Sequence, residues 1–230
     1  MPIPDRLRQR PLQAVLFDLD GTLLDTAPDM HRALNALLRE KGRAELPFAV
    51  VRPRVSHGAA GVLRVGFAAV DEAEYRALQR RFLEIYSADL CIDTRLFPGM
   101  ERALDTIDAR GLVAGIVTNK AAWLTDPLVE RLGLRERFAC VVSGDTVAER
   151  KPHPLPLLHA AKLAGVPPAA CIYVGDAARD VQAAHAAGMP AVVAKYGYFD
   201  ADDDVDAWGG DGDIDSPADL VDWLSALPRP

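Results

Sequence analysis

The hydrophobic positions of this chain change period part-way along. Ala14-Val15-Leu16-Phe17 is a short, continuous apolar run of the kind that forms a buried strand, and it ends at Asp18-Leu19-Asp20-Gly21-Thr22. From there the spacing becomes helical. Thr26-Ala27-Pro28-Asp29 combines an N-cap residue, a first-turn proline and an early acid. Met30, Ala33, Leu34, Leu37 and Leu38 then line one face, and Gly42 ends the run. Residues 43–55 are interrupted by prolines, Ser56-His57-Gly58 leads into a small-residue segment over 59–69, and Tyr75, Leu78, Phe82, Ile85 and Tyr86 mark another helix. Residues 25–95 therefore show helical periods and no convincing strand.

After Leu96 the texture alternates. Apolar runs at 113–117, 139–142, 171–174 and 191–194 predict strands. Between them lie helical patterns carrying Met100, Ala103, Leu104 and Ile107, then Leu124, Leu128 and Leu132, then Leu155, Leu158 and Ala161, then an alanine-rich stretch closed by Gly188. Such alternation predicts an α/β fold with a doubly wound parallel sheet. The expected division is an α/β core over 12–24 and 96–230 with a small helical domain, 25–95, inserted after the first strand. Sheets of this kind bind ligands beyond the carboxyl ends of their strands. Asp18 and Asp20, Thr118 and Asn119, and Asp176 all fall at such ends.

Composition narrows the partners. With 230 residues, half of them hydrophobic, the chain can bury a full core. A formal net charge of −7 argues against a nucleic-acid surface or an anionic membrane as partner. It does not disfavour an anionic small molecule whose site carries its own cation. Cys91, Cys140 and Cys171 form no C-x-x-C pair and read as buried hydrophobes in a reducing compartment. Arg6, Arg8 and Arg10 are not followed by an apolar signal-peptide region, and no stretch is long enough to span a membrane, so a cytoplasmic protein is expected. His153, His159 and His185 lack metal-ligand spacing.

At the strand end, where Gly21 turns the backbone, Asp18 and Asp20 are expected to point in different directions. One can face a substrate as nucleophile while the other serves as acid and base. Alone, the pair could equally be an acidic turn. Four segments in order change that: Asp18-Leu19-Asp20-Gly21-Thr22, Thr118-Asn119, Lys151-Pro152 and Gly175-Asp176-Ala177-Ala178-Arg179-Asp180. With these, the chain over 14–194 resembles the haloacid dehalogenase-like (HAD) hydrolase superfamily.

The resemblance implies a Rossmann-like core and a phosphomonoester hydrolase working through an aspartyl-phosphate. Asp18 would be the nucleophile and Asp20 the general acid and base, with Thr118 and the Asn119 N–H on the phosphoryl oxygens and Lys151 neutralising charge. Mg²⁺ would be held by Asp18, the Asp20 carbonyl and Asp176, with Asp180 orienting Lys151 or a metal-bound water. An acid at Asp20 favours phosphatases and phosphomutases over dehalogenases, whose leaving halide needs no proton.

The inserted helices resemble the cap of the phosphoglycolate phosphatase branch. Residues 53–60 are similar both to bacterial phosphoglycolate phosphatases and to N-acetylmuramic acid 6-phosphate phosphatases. Both substrates carry a carboxylate, which suggests Arg54, Ser56 and His57 as cap residues that bind it. The expected partner is thus a small phosphate ester, phosphoglycolate first, acted on by a monomer or homodimer. The rivals are a sugar phosphomutase and a catalytically silent binding module. Asp211, Asp213, Asp215, Asp219 and Asp222 fall in an EF-hand-like register, but Ser216-Pro217 reads better as the start of a last helix bearing Leu220, Val221 and Leu224. Residues 200–206 read as a solvated loop.

Overall fold

The structure is a computed structural model that describes residues 12–200 and 202–227. Arg6, Arg8 and Arg10 lie outside the described residues. The strands are β1 (Ala14–Phe17), β2 (Leu24–Asp25), β3 (Arg95–Leu96), β4 (Val113–Val117), β5 (Cys140–Val142), β6 (Cys171–Gly175), β7 (Ala191–Ala194) and β8 (Gly212–Ile214). Six of them form one parallel sheet in the order β5-β4-β1-β6-β7-β8, with β1 between β4 and β6. The helices are α1 (Ala27–Glu40), α2 (Phe48–Val51), α3 (Gly58–Gly66), α4 (Glu72–Ala88), α5 (Met100–Ala109), α6 (Ala122–Arg131), α7 (Leu155–Leu163), α8 (Ala178–Ala186) and α9 (Pro217–Ala226).

The period-two alternation of the strands sorts the core into two layers. Val15, Phe17, Ile172, Val174, Val192 and Ala194 face one of them. Ala14, Leu16, Cys171, Tyr173, Ala191 and Val193 face the other, with α7 and α8. The first layer is continuous with the apolar faces of the inserted helices, through Leu34, Val62, Phe82 and Tyr86. Cys140 and Cys171 are buried as expected, and Cys91 is half-buried.

Three local expectations need correction. The insert is helical as expected, but its two ends pair as a short antiparallel ladder, β2 with β3, which two-residue segments cannot announce by periodicity. The acidic tail contributes β8 to the sheet edge, where only Ile214 of its three residues is buried, so its pattern is too short to read. Thr26 occupies the N-cap position of α1 without capping it: its backbone is already helical (φ −95°, ψ −6°), and its hydroxyl donates to Asp20 Oδ1 at 2.6 Å. The last helix, by contrast, starts at Pro217 with Ser216 as its cap. Asp211 and Asp213 take His185 and Lys195 as partners, which gives the acidic tail a structural use.

Tyr198 closes the first turn of α1 instead. Its phenol oxygen accepts from the N–H groups of Thr26 (2.7 Å) and Ala27 (3.0 Å) and donates to Asp25 Oδ1 at 2.6 Å. One side chain thereby satisfies helix donors that would otherwise be orphaned and pins the β2 end of the insert. Tyr198→Phe is expected to destabilise the protein by about 1–3 kcal/mol in urea unfolding, because two buried donors and one carboxylate lose their partner together.

Candidate active site

Three strand ends and one loop converge above the carboxyl edge of the sheet. Asp18 follows β1, Thr118 and Asn119 follow β4, and Asp176 follows β6, while Lys151 comes from the loop after β5. Gly21 makes the turn after β1 possible. Its φ of +84° is left-handed, and a Cβ there would lie 2.1 Å from Asp176 Oδ2. Gly175 likewise leaves room for Asp180, whose Cβ would sit 2.5 Å from any side chain added at 175.

Lys151 is the centre of the cluster. Its Nζ lies 2.9 Å from Asp18 Oδ1 and 2.8 Å from Asp180 Oδ1, and donates to the Tyr173 hydroxyl at 2.7 Å. Tyr173 passes its own proton to the Val117 carbonyl at 2.7 Å. All three N–H donors of the ammonium are thus in use. The Asn119 amide clamps the same loop from below: its Nδ2 donates to the Lys151 carbonyl (2.9 Å) and its Oδ1 accepts from the Lys151 N–H (3.0 Å). Asp180 Oδ2 accepts from the Ala177 N–H at 3.0 Å, so each oxygen of that carboxylate has a partner.

Asp176 is fully buried. Its Oδ2 accepts from Ser56 Oγ (2.6 Å) and from the Tyr198 N–H (3.0 Å), and its Oδ1 lies 3.4 Å from Thr22 Oγ1. Asp20 turns the other way, because the chain leaves strand geometry after Phe17 and turns at Gly21. Its Oδ1 accepts from Lys120 Nζ at 3.0 Å as well as from Thr26. Lys120 in turn donates to the hydroxyl of Tyr86 on α4 at 3.0 Å. Burial alone would lower the Lys120 pKa, but Asp20 and Tyr86 outweigh it and hold the ammonium above its ordinary value.

Carboxylate oxygens of Asp18, Asp176 and Asp180 come within 4.8 Å of one another, all buried. One ammonium faces these three acids, which leaves a deficit that a divalent cation would fill, and hard oxygen ligands suit such an ion. Without one, burial pushes the Asp18 carboxyl up to about 6 despite Lys151, and burial with Asp18 nearby pushes Asp176 up to about 7.

A cavity of about 420 Å³ opens over these groups. Asp18, Asp20, Thr118 and Asn119 face it from below, and Ser56, His57 and Tyr86 face it from the insert. Of the residues expected to bind substrate, His57 lines the cavity, and burial followed by Arg179 lowers its pKa. Ser56 is there too, but its hydroxyl is engaged by Asp176. Arg54 is outside the lining: its side chain is half-exposed and paired with Asp200 at 2.7 Å, because the turn over Arg52–His57 points successive residues away from one another. Sequence reasoning passed over Lys120, Arg179, Tyr173 and Trp123. Arg179 stands inside a quoted motif and Lys120 directly follows one, so both could have been weighed there, whereas Tyr173 is indistinguishable from a core strand residue.

The chain is similar to known proteins over most of its length. The family model described as haloacid dehalogenase-like hydrolase matches residues 15–194. A phosphoglycolate phosphatase of Xanthomonas campestris is 48% identical over 218 residues, covering 95% of this chain and 98% of the relative. An N-acetylmuramic acid 6-phosphate phosphatase of Pseudomonas putida is 39% identical over 210 residues, covering 91% and 94%. Among solved structures, one from Haemophilus somnus, described as a predicted phosphoglycolate phosphatase, superposes with a TM-score of 0.82 at 27% identity, covering 93% of this chain and 98% of that one.

The raised carboxyl pKa values carry a sign. Asp18 and Asp176 keep, when folded, protons that the unfolded chain releases near its ordinary 3.8, so from about pH 4 to about 7 the folded state binds more protons. Stability of the chelator-treated protein should therefore fall as pH rises through that window. Urea unfolding at pH 5 and pH 7.5 would show it as a loss on the order of a few kcal/mol, shrunken in Asp176→Asn and reversed by a divalent cation.

Proposed function

This chain belongs to the haloacid dehalogenase-like hydrolases, and on that premise we propose that it is a Mg²⁺-dependent phosphomonoesterase whose substrate is 2-phosphoglycolate. The observation that carries this reading is the floor of the cavity, where Asp18 is held by buried Lys151 while Asp20 stands free of that cluster on its own cation, Lys120. Two carboxylates in separate surroundings can do two jobs.

Asp18 attacks phosphorus, and Lys151 together with the Leu19 N–H (2.7 Å) fixes its Oδ1 so that the carboxylate approaches in one orientation. As the ester P–O bond breaks, Asp20 gives a proton to the departing alkoxide, which is otherwise a poor leaving group. Asp20 then takes a proton from the water that attacks the aspartyl-phosphate, releasing phosphate and restoring Asp18. The hydroxyl of Thr118, whose oxygen already accepts from the Lys120 N–H at 3.1 Å, is placed to donate to a phosphoryl oxygen. Asp18, Asp176 and the Asp20 carbonyl would hold Mg²⁺, which supplies the neutralisation that lets a carboxylate approach a phosphate dianion. Residues 25–95 act as the cap over the core formed by 12–24 and 96–230, excluding bulk water from the intermediate.

A second reading has its own observation. The 420 Å³ cavity has room for roughly fourteen waters, far more than a glycolate needs, and Trp123, 52% exposed, lies in its lining. An aromatic face at the cavity suits a sugar ring, which favours N-acetylmuramic acid 6-phosphate as the alternative substrate.

Phosphate release from both esters, measured as kcat/KM in competition, decides between them. Activity should vanish with EDTA, fall at least about 10³-fold in Asp18→Asn and fall about 10²–10⁴-fold in Asp20→Asn. Metal-independent turnover, or a near wild-type Asp18→Asn, would remove the mechanism. Conversion of a hexose 1-phosphate without phosphate release would point to the phosphomutase instead.

A further inference from the structure

A carboxylated phosphate ester brings one more negative charge than Lys151 and a divalent cation are placed to meet, and the cavity must answer it with a cation of its own. Arg54 cannot, since it is committed to Asp200 outside the lining. Lys151 is saturated by Asp18, Asp180 and Tyr173. Lys120 is held by Asp20 and Tyr86, and its ammonium also sits 4.8 Å over the Tyr86 ring. Burial and then Arg179 lower the pKa of His57, which disfavours its charged form. Arg150 also lines the cavity, but it is exposed and its Nε is held by the Gly144 carbonyl at 2.6 Å.

That leaves Arg179 as the better buried of the two arginines in the lining. It lies in the first turn of α8, between Asp176 and Asp180, is half-buried, and lines the cavity. Its Nη2 donates to the carbonyl of Ser56, a neutral acceptor on the insert. Among the described residues no carboxylate lies within ion-pair distance of it. With its Nη2 on the Ser56 carbonyl and its side chain in the lining that Asp18 and His57 share, the guanidinium lies at the cavity beneath the overlying turn. A guanidinium has five N–H donors in a planar fork that fits a carboxylate with two parallel bonds. One of them is taken by Ser56.

We propose that Arg179, a residue of the core and not of the cap, binds the carboxylate of the substrate and sets the preference of this enzyme for carboxylated esters. The assignment rests on the phosphomonoesterase reading above. It places the carboxylate-binding residue on the turn from β6 into α8, which also carries Asp176 and Asp180.

The test is a selectivity ratio: kcat/KM for 2-phosphoglycolate over kcat/KM for ethyl phosphate, in which a methyl group replaces the carboxylate. In Arg179→Met this ratio is expected to fall about ten- to a hundredfold, the equivalent of losing a charge-assisted contact. Arg179→Lys, which keeps the charge without the fork, should fall less. A parallel loss on both esters would mean that Arg179 acts by holding Ser56 and would overturn the proposal, as would a ratio within about twofold of wild type. If Arg179→Met does not fold, Arg179→Lys and the wild-type ratio still decide, because a wild-type enzyme indifferent to the carboxylate refutes the assignment. Wild type inactive on both esters with Mg²⁺ present would mark failure of the phosphomonoesterase reading itself, and Arg179 would fall with it.

Discussion

The Lys151 ammonium is the constraint on which this structure turns. It is fully buried, and such a charge is tolerable only when every donor is met and opposite charge is adjacent. Asp18, Asp180 and the Tyr173 hydroxyl meet it from three different elements, β1, α8 and β6. The cluster therefore fixes how the carboxyl end of β1, the middle of β6 and the first turn of α8 lie relative to one another. It also remains one cation short of balance. A site left in this condition is poised to take up positive charge and then a phosphate, which is how the architecture translates into chemistry.

The second coupling runs from the core to the inserted helices through the reactive groups themselves. Ser56 donates to Asp176 and its carbonyl accepts from Arg179, while Tyr86 meets Lys120 and, through it, Asp20. Each contact of the insert over the cavity thus ends on a residue one step from Asp18 or is bound to Asp20. At the base, the β2–β3 ladder and Tyr198 join the same two parts, and the Tyr198 N–H reaches Asp176 as well. Movement of the insert would therefore change the surroundings of both carboxylates together.

Much of this was legible in the sequence because the responsible forces are local or periodic. Buried parallel strands must be continuous apolar runs, so β1, β4, β6 and β7 were evident, and acids at their ends could only meet at one edge of the sheet. What escaped is what depends on long-range pairing. Tyr173 and Tyr198 bond residues 22 and 173 positions away, and neither leaves a mark in its own neighbourhood. Arg54 looked suitable by type and place, but whether an arginine on a short turn faces a cavity or an aspartate such as Asp200 is settled by the turn's geometry.

The misplacement of Arg54 leads to a more general point about where specificity sits. A cation on a mobile cap would bind an anionic substrate best only after closure, and its side chain would have to be ordered at that moment. A cation on α8 is ordered by the fold beforehand, because Asp180 on the same turn already satisfies the Ala177 N–H and pairs with Lys151. The insert can then be chiefly a wall, supplying Val55, Leu83, Tyr86 and the face of His57, while charge recognition stays with the sheet. Such a division would let wall residues that do not touch Asp176, Arg179 or Lys120, such as Val55 and Leu83, vary to admit a glycolate or a sugar, while Ser56 and Tyr86 keep their contacts with the core. It is consistent with the two substrate names found among relatives of similar length, and it makes the wall, more than the floor, the place where those relatives should differ.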